Sequence, residues 1–265
     1  MRFTDYQFKR VDEQGLFCKV SSPKALVKSV LRLEAITFDA YGTLLDLNLL
    51  NPPLNNRDPG VKSRFLALWR SKQLEYMWLR TLMKNYANFE VVSGDALKYA
   101  IRSMGVEESN SGNLMKEFRV VGCFPDVIPT LRNLKQKGIR MVILSNGTKT
   151  LLNSALKANG LNGYFEEVLS VNQVKAYKPD WIVYELARKY FDFQPKNILF
   201  VSSNSWDVVG GGRFGFRTAW CNRSNSFFDE LGYSPDWEIS ELGGLTRIVD
   251  GGRSAATRKR KQPAT

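Results

Sequence analysis

Side chains that could attack a substrate, supply a charge beside it or orient it lie at the ends of three apolar runs and in one loop. The runs lead to Asp39, to Ser145 with Asn146, and to Ser202 with Asn204 and Asp207, and the loop contains Lys178. A carboxylate can act as a nucleophile or a base, and a nearby lysine can charge its surroundings. The chain has no histidine, which excludes Ser-His-Asp and Cys-His hydrolases, His-bearing zinc sites and imidazole proton shuttles.

The apolar runs that lead to these groups predict buried strands. Val142–Leu144 and Ile198–Val201 are continuous and β-prone, as is typical of strands that are buried on both faces. Helical stretches at Val127–Lys137 and Lys149–Asn159 separate them. The alternation predicts an α/β fold with a doubly wound parallel sheet, whose polar strand ends face one crevice.

The first two runs are separated by about a hundred residues, far more than one crossover helix requires. Within this segment, Val61–Tyr86 reads as a long aromatic-rich helix and Asp95–Met104 as a second helix. We therefore predict an α/β core of residues 35–46 and 125–250. Residues 47–124 form an inserted helical cap subdomain in this prediction, which could close over the crevice.

Four stretches together resemble the haloacid dehalogenase superfamily. They are Phe38-Asp39-x-Tyr41-Gly42-Thr43-Leu44, Leu144-Ser145-Asn146-Gly147, Tyr177-Lys178-Pro179 and Val201-Ser202-Ser203-Asn204-x-Trp206-Asp207. Within the superfamily the chain is similar to the type II (S)-2-haloacid dehalogenases, because residues 67–80 resemble the first cap helix of that family. The likeness ends with Pro235-Asp236-Trp237-Glu238 and covers residues 35–248. It implies a Rossmann-type core with an inserted cap.

Tyr41 distinguishes the two main chemistries of that superfamily. Its phosphatases carry a second aspartate at this position as the general acid, and they hold Mg²⁺ with further carboxylates. A departing halide needs no proton, whereas a phosphate ester needs one on its leaving group. The loop after the third apolar run also contains only one carboxylate, Asp207, although a hard divalent cation prefers several oxygen ligands. We therefore expect no metal and no cofactor, with Lys178 supplying the positive charge.

The resemblance implies hydrolytic dehalogenation of (S)-2-haloacids. Asp39 attacks the halogen-bearing carbon and forms an ester, and water then attacks the ester carbonyl. The configuration at the substrate carbon is inverted once, so the product is an (R)-2-hydroxyacid. The resemblance also assigns supporting roles around Asp39. Lys178 holds the carboxylate of Asp39 in its charged form, and Ser202 orients it. Asn204 and Asp207 place or activate water. Thr43 supports the turn after Asp39, and Arg70 receives the halide.

A substrate pocket is implied by the same resemblance. The substrate carboxylate binds to Ser145 and to backbone amides near Tyr41 and Asn146, and the halide is received by Arg70, Asn146 and Trp206. The apolar wall of the pocket consists of Tyr41, Leu74, Phe89 and Trp206. Tyr184 completes the set of pocket residues. The chain departs from the family pattern at Ser71, and at Gly210-Gly211-Gly212, where each glycine weakens a helix by about 1 kcal/mol relative to alanine.

The net charge of +12 is concentrated at the two ends of the chain. Residues 1–34, an N-terminal extension, carry seven basic and four acidic side chains, and residues 251–265 carry five basic and no acidic ones. The remainder carries 26 basic and 22 acidic side chains, so we expect no nucleic-acid partner for it. We predict that residues 251–265 form a disordered basic tail, in which Arg258–Lys261 could serve as a nuclear-localisation or anion-binding patch.

The cysteines indicate a reducing compartment. Cys18, Cys123 and Cys221 are far apart and form no C-x-x-C pair. No signal-peptide-like apolar segment is present, and no run approaches the roughly 18 apolar residues of a membrane span. We expect a cytoplasmic protein that acts on a small 2-haloacid or a related carboxylate, without a membrane partner, and a homodimer remains open.

Two other functions remain open from the sequence. One is a phosphatase or a hydrolase of another small 2-substituted acid. The other is a catalytically silent protein of the same fold that binds an acidic partner or nucleic acid with its basic ends. The intact set of polar groups favours the dehalogenase.

Overall fold

A six-stranded parallel sheet forms the core of the part of the chain that the structure describes. This computed structural model describes residues 33–52, 54, 59–106 and 111–251. The strands are β1 (Ala35–Phe38), β2 (Arg140–Ser145), β3 (Glu167–Ser170), β4 (Ile198–Ser202), β5 (Arg217–Cys221) and β6 (Trp237–Ile239). Their order in the sheet is β3-β2-β1-β4-β5-β6, and each neighbouring pair is parallel. The predicted doubly wound α/β fold is confirmed.

The strand order places a crevice beyond the C-terminal ends of β1 and β4. The chain proceeds from β1 outward to β2 and β3, and then crosses to β4 on the other side of β1. Such a reversal opens a crevice at the carboxyl ends of the two strands that flank it. Phe38, the last residue of β1, is paired in register with Val201 of β4 and Ile143 of β2. The residues that follow these strands therefore converge.

Four helices alternate with the strands of the core. They are α4 (Val127–Gln136), α5 (Lys149–Ala158), α6 (Trp181–Phe191) and α7 (Ser205–Phe214). The first two agree with the sequence-based helices to within one residue. Strands β3, β5 and β6 were not identified from the sequence, because they are short and mix polar with apolar residues.

Three further helices lie between β1 and α4. They are α1 (Pro59–Leu82), α2 (Phe89–Ser103) and α3 (Ser111–Arg119). The chain leaves and re-enters the core side by side: the amide of Asp46 donates to the carbonyl of Gly122 at 2.8 Å, and the amide of Phe124 donates to the carbonyl of Leu44 at 3.0 Å. We retain residues 47–124 as a proposed cap.

The ends of α1 and α2 differ from the sequence-based boundaries. Helix α1 ends at Leu82 rather than at residue 86, because Lys84 adopts a left-handed conformation with φ of 54°. Helix α2 begins six residues earlier than predicted, because the side chain of Asn88 accepts a hydrogen bond from the amide of Val91 and caps the helix. Helix α3 was missed.

The three consecutive glycines of α7 make room for aromatic rings. A Cβ on Gly210 would lie 2.2 Å from Tyr184 Oη, and one on Gly211 would lie 2.6 Å from Phe200 Cδ1. A Cβ on Gly212 would lie 2.0 Å from Tyr233 Cζ. The low helix propensity of glycine is therefore offset here by close packing, and Gly210 allows the Tyr184 hydroxyl to reach α7.

Several sequence-based predictions lie outside the described residues. These are the predictions for residues 1–32, for the basic tail after residue 251 with Arg258–Lys261, and for Cys18. Cys123 and Cys221 are both free thiols. Over the described ranges, no helix combines the length and the apolar character that crossing a bilayer requires.

Candidate active site

Asp39 follows β1 directly and its carboxylate is held by several donors. Its amide donates to the carbonyl of Val201 at 2.9 Å, which ties the residue to the neighbouring strand β4. Thr43 Oγ1 and Asn204 Nδ2 each donate to Asp39 Oδ2 at 3.0 Å. The turn that brings Thr43 back requires a positive φ of 86° at Gly42. The carboxylate is therefore fixed in orientation, and 9% of its side chain remains exposed.

Lys178 lies between two carboxylates. Its Nζ donates to Asp39 Oδ1 at 3.1 Å and to Asp207 Oδ2 at 2.8 Å, and its side chain is 1% exposed. Burial lowers the pKa of Lys178, but the charges of Asp207 and Asp39 outweigh this effect and raise the pKa above its usual value. The lysine is therefore a buried ammonium ion.

Asp207 is the most deeply buried carboxylate of the cluster. Burial raises the pKa of Asp207 to about 6, and the charge of Asp39 adds to the increase. Lys178 opposes the increase, and so does the hydroxyl of Tyr184, which donates to Asp207 Oδ1 at 2.8 Å. Asp207 is therefore ionised at neutral pH with a pKa suited to accepting a proton.

The donor set does not fit a divalent cation. The ammonium group of Lys178 lies where the carboxylates of Asp39 and Asp207 converge, which is the position that a bridging cation would need. The described residues contain no cluster of three His, Cys, Asp or Glu side chains with metal-binding geometry. A cation would have to displace the ammonium group and would then find only two carboxylates.

Ser145 and Asn146 end β2 beside this cluster. The hydroxyl of Ser145 accepts a hydrogen bond from the amide of Gly147 at 3.1 Å. The side-chain oxygen of Asn146 accepts one from the amide of Lys178 at 3.0 Å. Among the described residues, the Nδ2 group of Asn146 forms no hydrogen bond, so it can donate to an anion.

Aromatic rings cover one side of the cluster. Tyr41 is 2% exposed, its ring stacks on Phe118 at a centroid distance of 5.0 Å, and Phe89 lies 5.2 Å away. The hydroxyl of Tyr41 has no hydrogen-bond partner in the described chain. Burial raises the pKa of Tyr41, and the charge of Glu90 adds to the increase. Tyr41 is therefore neutral and a poor general acid. Phe118 was not identified from the sequence.

Arg70 of α1 lies within the electrostatic field of the cluster without forming an ion pair with it. Its Nη1 donates to Gln73 Oε1 at 2.6 Å. Burial lowers the pKa of Arg70, and the charges of Asp39 and Asp207 partly restore it. Gln73 is 2% exposed and was missed, although it stands one helical turn after Arg70.

Three more predicted site residues are Ser202, which the resemblance assigns to the orientation of Asp39, and Leu74 and Trp206 of the predicted apolar wall. The hydroxyl of Ser202 accepts a hydrogen bond from the amide of Asn204 at 3.1 Å, so it orients that loop instead. Leu74 is half-buried and packs against the core. Trp206 meets Trp78 edge to face at 5.5 Å.

Two residues that were missed hold the catalytic loops. Trp78 Nε1 donates to the carbonyl of Lys178 at 3.2 Å. Arg223 follows β5, and its guanidinium donates to the carbonyl of Thr43 at 2.9 Å and to Asp126 Oδ2 at 3.1 Å. Trp78 lies in the stretch that resembles the cap helix, whereas Arg223 could have been found only if β5 had been identified.

Known proteins match this chain over most of its length. The model of the haloacid dehalogenase-like hydrolases matches residues 33–215. An (S)-2-haloacid dehalogenase of Pseudomonas sp. (strain YL) is 39% identical over 82% of this chain and 95% of its own length. Haloacetate dehalogenase H-2 of Moraxella sp. (strain B) is 39% identical over 82% of this chain and 98% of its own length.

A solved structure also resembles this fold. It is the L-2-haloacid dehalogenase of Xanthobacter autotrophicus with chloropropionic acid covalently bound, which matches with a TM-score of 0.74 and 31% identity. The match covers 83% of this chain and 99% of that chain.

The hydroxyl of Tyr184 lowers the pKa of Asp207 and so opposes the effect of burial. Because its hydrogen bond stabilises the carboxylate, we expect Tyr184→Phe to raise the pKa of Asp207 by roughly one unit. Carboxyl ¹³C NMR of protein labelled at aspartate measures this pKa, with the resonance assigned through Asp207→Asn. Tyr190→Phe is the control, since Tyr190 donates to Glu166 at the surface. An Asp207 pKa that is unchanged in Tyr184→Phe would contradict the assignment.

Proposed function

The chain belongs to the haloacid dehalogenase-like hydrolases, and we propose that it hydrolyses (S)-2-haloacids to (R)-2-hydroxyacids through an ester on Asp39. The observation that carries the proposal is the position of the Asp39 carboxylate. Thr43 and Asn204 orient it through hydrogen bonds, and the ammonium group of Lys178 forms an ion pair with it. A carboxylate that is held in one orientation and paired with an ammonium group is suited to nucleophilic attack on carbon.

The first step is a displacement at the carbon that carries the halogen. An oxygen of Asp39 forms a bond to this carbon, while the carbon–halogen bond breaks and its electron pair leaves with the halide. The attack inverts the configuration of the carbon. The substrate carboxylate is oriented by Ser145 and by nearby amides, as the family resemblance of the sequence implies.

The leaving halide is received by donors and not by an acid. The Nδ2 group of Asn146 and the guanidinium of Arg70 supply N–H groups. No proton is transferred in this step, so the high pKa of Tyr41 is no obstacle. A phosphatase would lack both the acid and the cation that its leaving group requires, which disfavours that alternative.

The second step hydrolyses the ester at the carboxyl carbon of Asp39. Water, placed by Asn204, adds its oxygen to this carbon and gives a proton to Asp207, whose pKa of about 6 suits this role. The ammonium group of Lys178 stabilises the oxyanion that forms on Asp39. The bond between the carboxyl carbon and the ester oxygen then breaks, and the hydroxyacid leaves with this oxygen and takes the proton from Asp207. The Asp39 carboxyl group, which now contains the water oxygen, releases its remaining proton to solvent and is again a carboxylate. The substrate carbon is untouched in this step.

The relatives support this two-step route. The Xanthobacter autotrophicus enzyme, at 31% identity, is described with chloropropionic acid covalently bound. The described part of this chain retains every polar group that the route uses, which favours an enzyme over a silent protein of the same fold. A cytoplasmic location and a homodimer remain predictions. Leu79, Leu82 and Met83 near the end of α1 are exposed apolar side chains that a dimer could cover.

Chloride release from (S)-2-chloropropionate tests the proposed function. We expect release of chloride and formation of (R)-lactate in excess EDTA, because Lys178 supplies the positive charge. A chloride electrode and chiral chromatography measure the two products, and Asp39→Asn is the inactive control. Mg²⁺-dependent hydrolysis of a phosphate ester in place of chloride release would contradict the proposal.

The planar guanidinium of Arg70 is expected to be necessary for halide departure. An ammonium group cannot present the same fork of donors, so Arg70→Lys should lower kcat by about tenfold or more at an unchanged melting temperature. Steady-state kinetics of Arg70→Lys are compared with those of Arg64→Lys, which changes an exposed arginine on the same helix. Equal rates in the two variants would remove Arg70 from the mechanism.

A further inference from the structure

A cavity of about 390 Å³ lies between residues 47–50 and the first half of α1. Its apolar wall includes Leu47, Leu50, Leu66 and Phe118. Arg70 is the only residue of the predicted catalytic and substrate-binding set that lines it. Its size is within the range of small-molecule sites, and Asp39, Lys178 and Asp207 do not line it.

Among the described residues, two cations line this cavity and no acidic side chain does. Lys62 donates to the side-chain oxygen of Asn51 at 3.0 Å, and Arg70 donates to Gln73. Within the described ranges, neither cation has a carboxylate within ion-pair distance. A cavity that contains two positive charges and no negative one attracts anions.

Arg70 and Phe118 link the cavity to the candidate active site. Arg70 lines the cavity and also lies in the electrostatic field of Asp39 and Asp207. Phe118 lines the cavity and stacks on Tyr41, whose carbonyl accepts a hydrogen bond from Asn204 at 3.3 Å. An anion held at Arg70 is therefore bound by a side chain that also interacts with the charges of Asp39 and Asp207.

We infer that this cavity is a chamber for small monovalent anions, with Lys62 as its outer and Arg70 as its inner binding group. Two anions of the proposed reaction fit this chemistry, the incoming 2-haloacid and the departing halide. This assignment of source rests on the proposed function. The anion site itself rests only on the cavity and its charges.

Chloride binding tests the chamber without any turnover. We expect the protein to broaden the ³⁵Cl NMR line of chloride, and added bromide to reverse part of this broadening by competing for the site. Lys62→Met should remove at least half of the part that bromide reverses. Arg64→Met is the matched control, because it removes an exposed cation from α1 that does not line the cavity. Equal broadening in Lys62→Met and the wild type would overturn the inference, as would equal losses in the two variants.

Kinetics distinguish the two sources of the anion. If the chamber admits substrate, Lys62→Met should lower kcat/KM for (S)-2-chloropropionate by about threefold to tenfold, with little change in kcat and a weaker dependence on salt. If it releases halide, the variant should lower kcat and change product inhibition by bromide, at an unchanged kcat/KM. If Lys62→Met had the same kinetics as Arg64→Met, neither anion would pass through the chamber, and the inference would be overturned.

A filled cavity gives an independent result. Ala67 is exposed and lines the cavity, so Ala67→Phe should obstruct it without disturbing the core. We expect a loss of chloride broadening and at least a fivefold loss of kcat/KM or kcat, whereas Ala158→Phe at the exposed end of α5 should change neither. Chloride binding without dehalogenation would refute the proposed function alone, and dehalogenation without chloride binding would refute the chamber alone.

Discussion

The structure depends on the buried ammonium group of Lys178 between the carboxylates of Asp39 and Asp207. Any one of these three charges would be strongly unfavourable in the interior without its partners, at a cost of several kcal/mol. Together they leave one net negative charge, which further donors must satisfy. Thr43, Asn204 and Tyr184 supply hydrogen bonds to the two carboxylates. The ordering of the surrounding loops follows from this requirement.

Elements that are distant in the sequence fix the position of Lys178. Its amide donates to Asn146 at the end of β2, and its carbonyl accepts from Trp78 of α1. Tyr184 reaches Asp207 only because Gly210 of α7 has no side chain. The proposed cap and the core are thus both connected to the charged cluster, so the geometry of the nucleophile depends on helices that carry no reacting group.

The polar groups that follow the strands were predictable from their residue types and positions, whereas the roles of Lys178 and Arg70 followed from the family resemblance. Asp39, Ser145 and Asp207 each follow an apolar run, and parallel strands bring such positions to one edge of the sheet. The supporting contacts were not predictable in this way. Gln73 is a glutamine on a helix, and Arg223 is an arginine after a short strand. Neither position in the sequence indicates which group the side chain contacts. The three glycines of α7 suggested a weak helix, whereas their function in close packing depends on rings from distant segments.

The central claim is that Asp39 forms a covalent ester and that water attacks its carboxyl carbon. A single turnover with excess enzyme in H₂¹⁸O, followed by mass spectrometry of the peptide that contains Asp39, tests this claim directly. We predict that ¹⁸O enters the Asp39 carboxylate and that the first hydroxyacid formed carries no label. Label in the first hydroxyacid with an unlabelled Asp39 would show that water attacks the substrate carbon, and would contradict the account even if the chain releases halide.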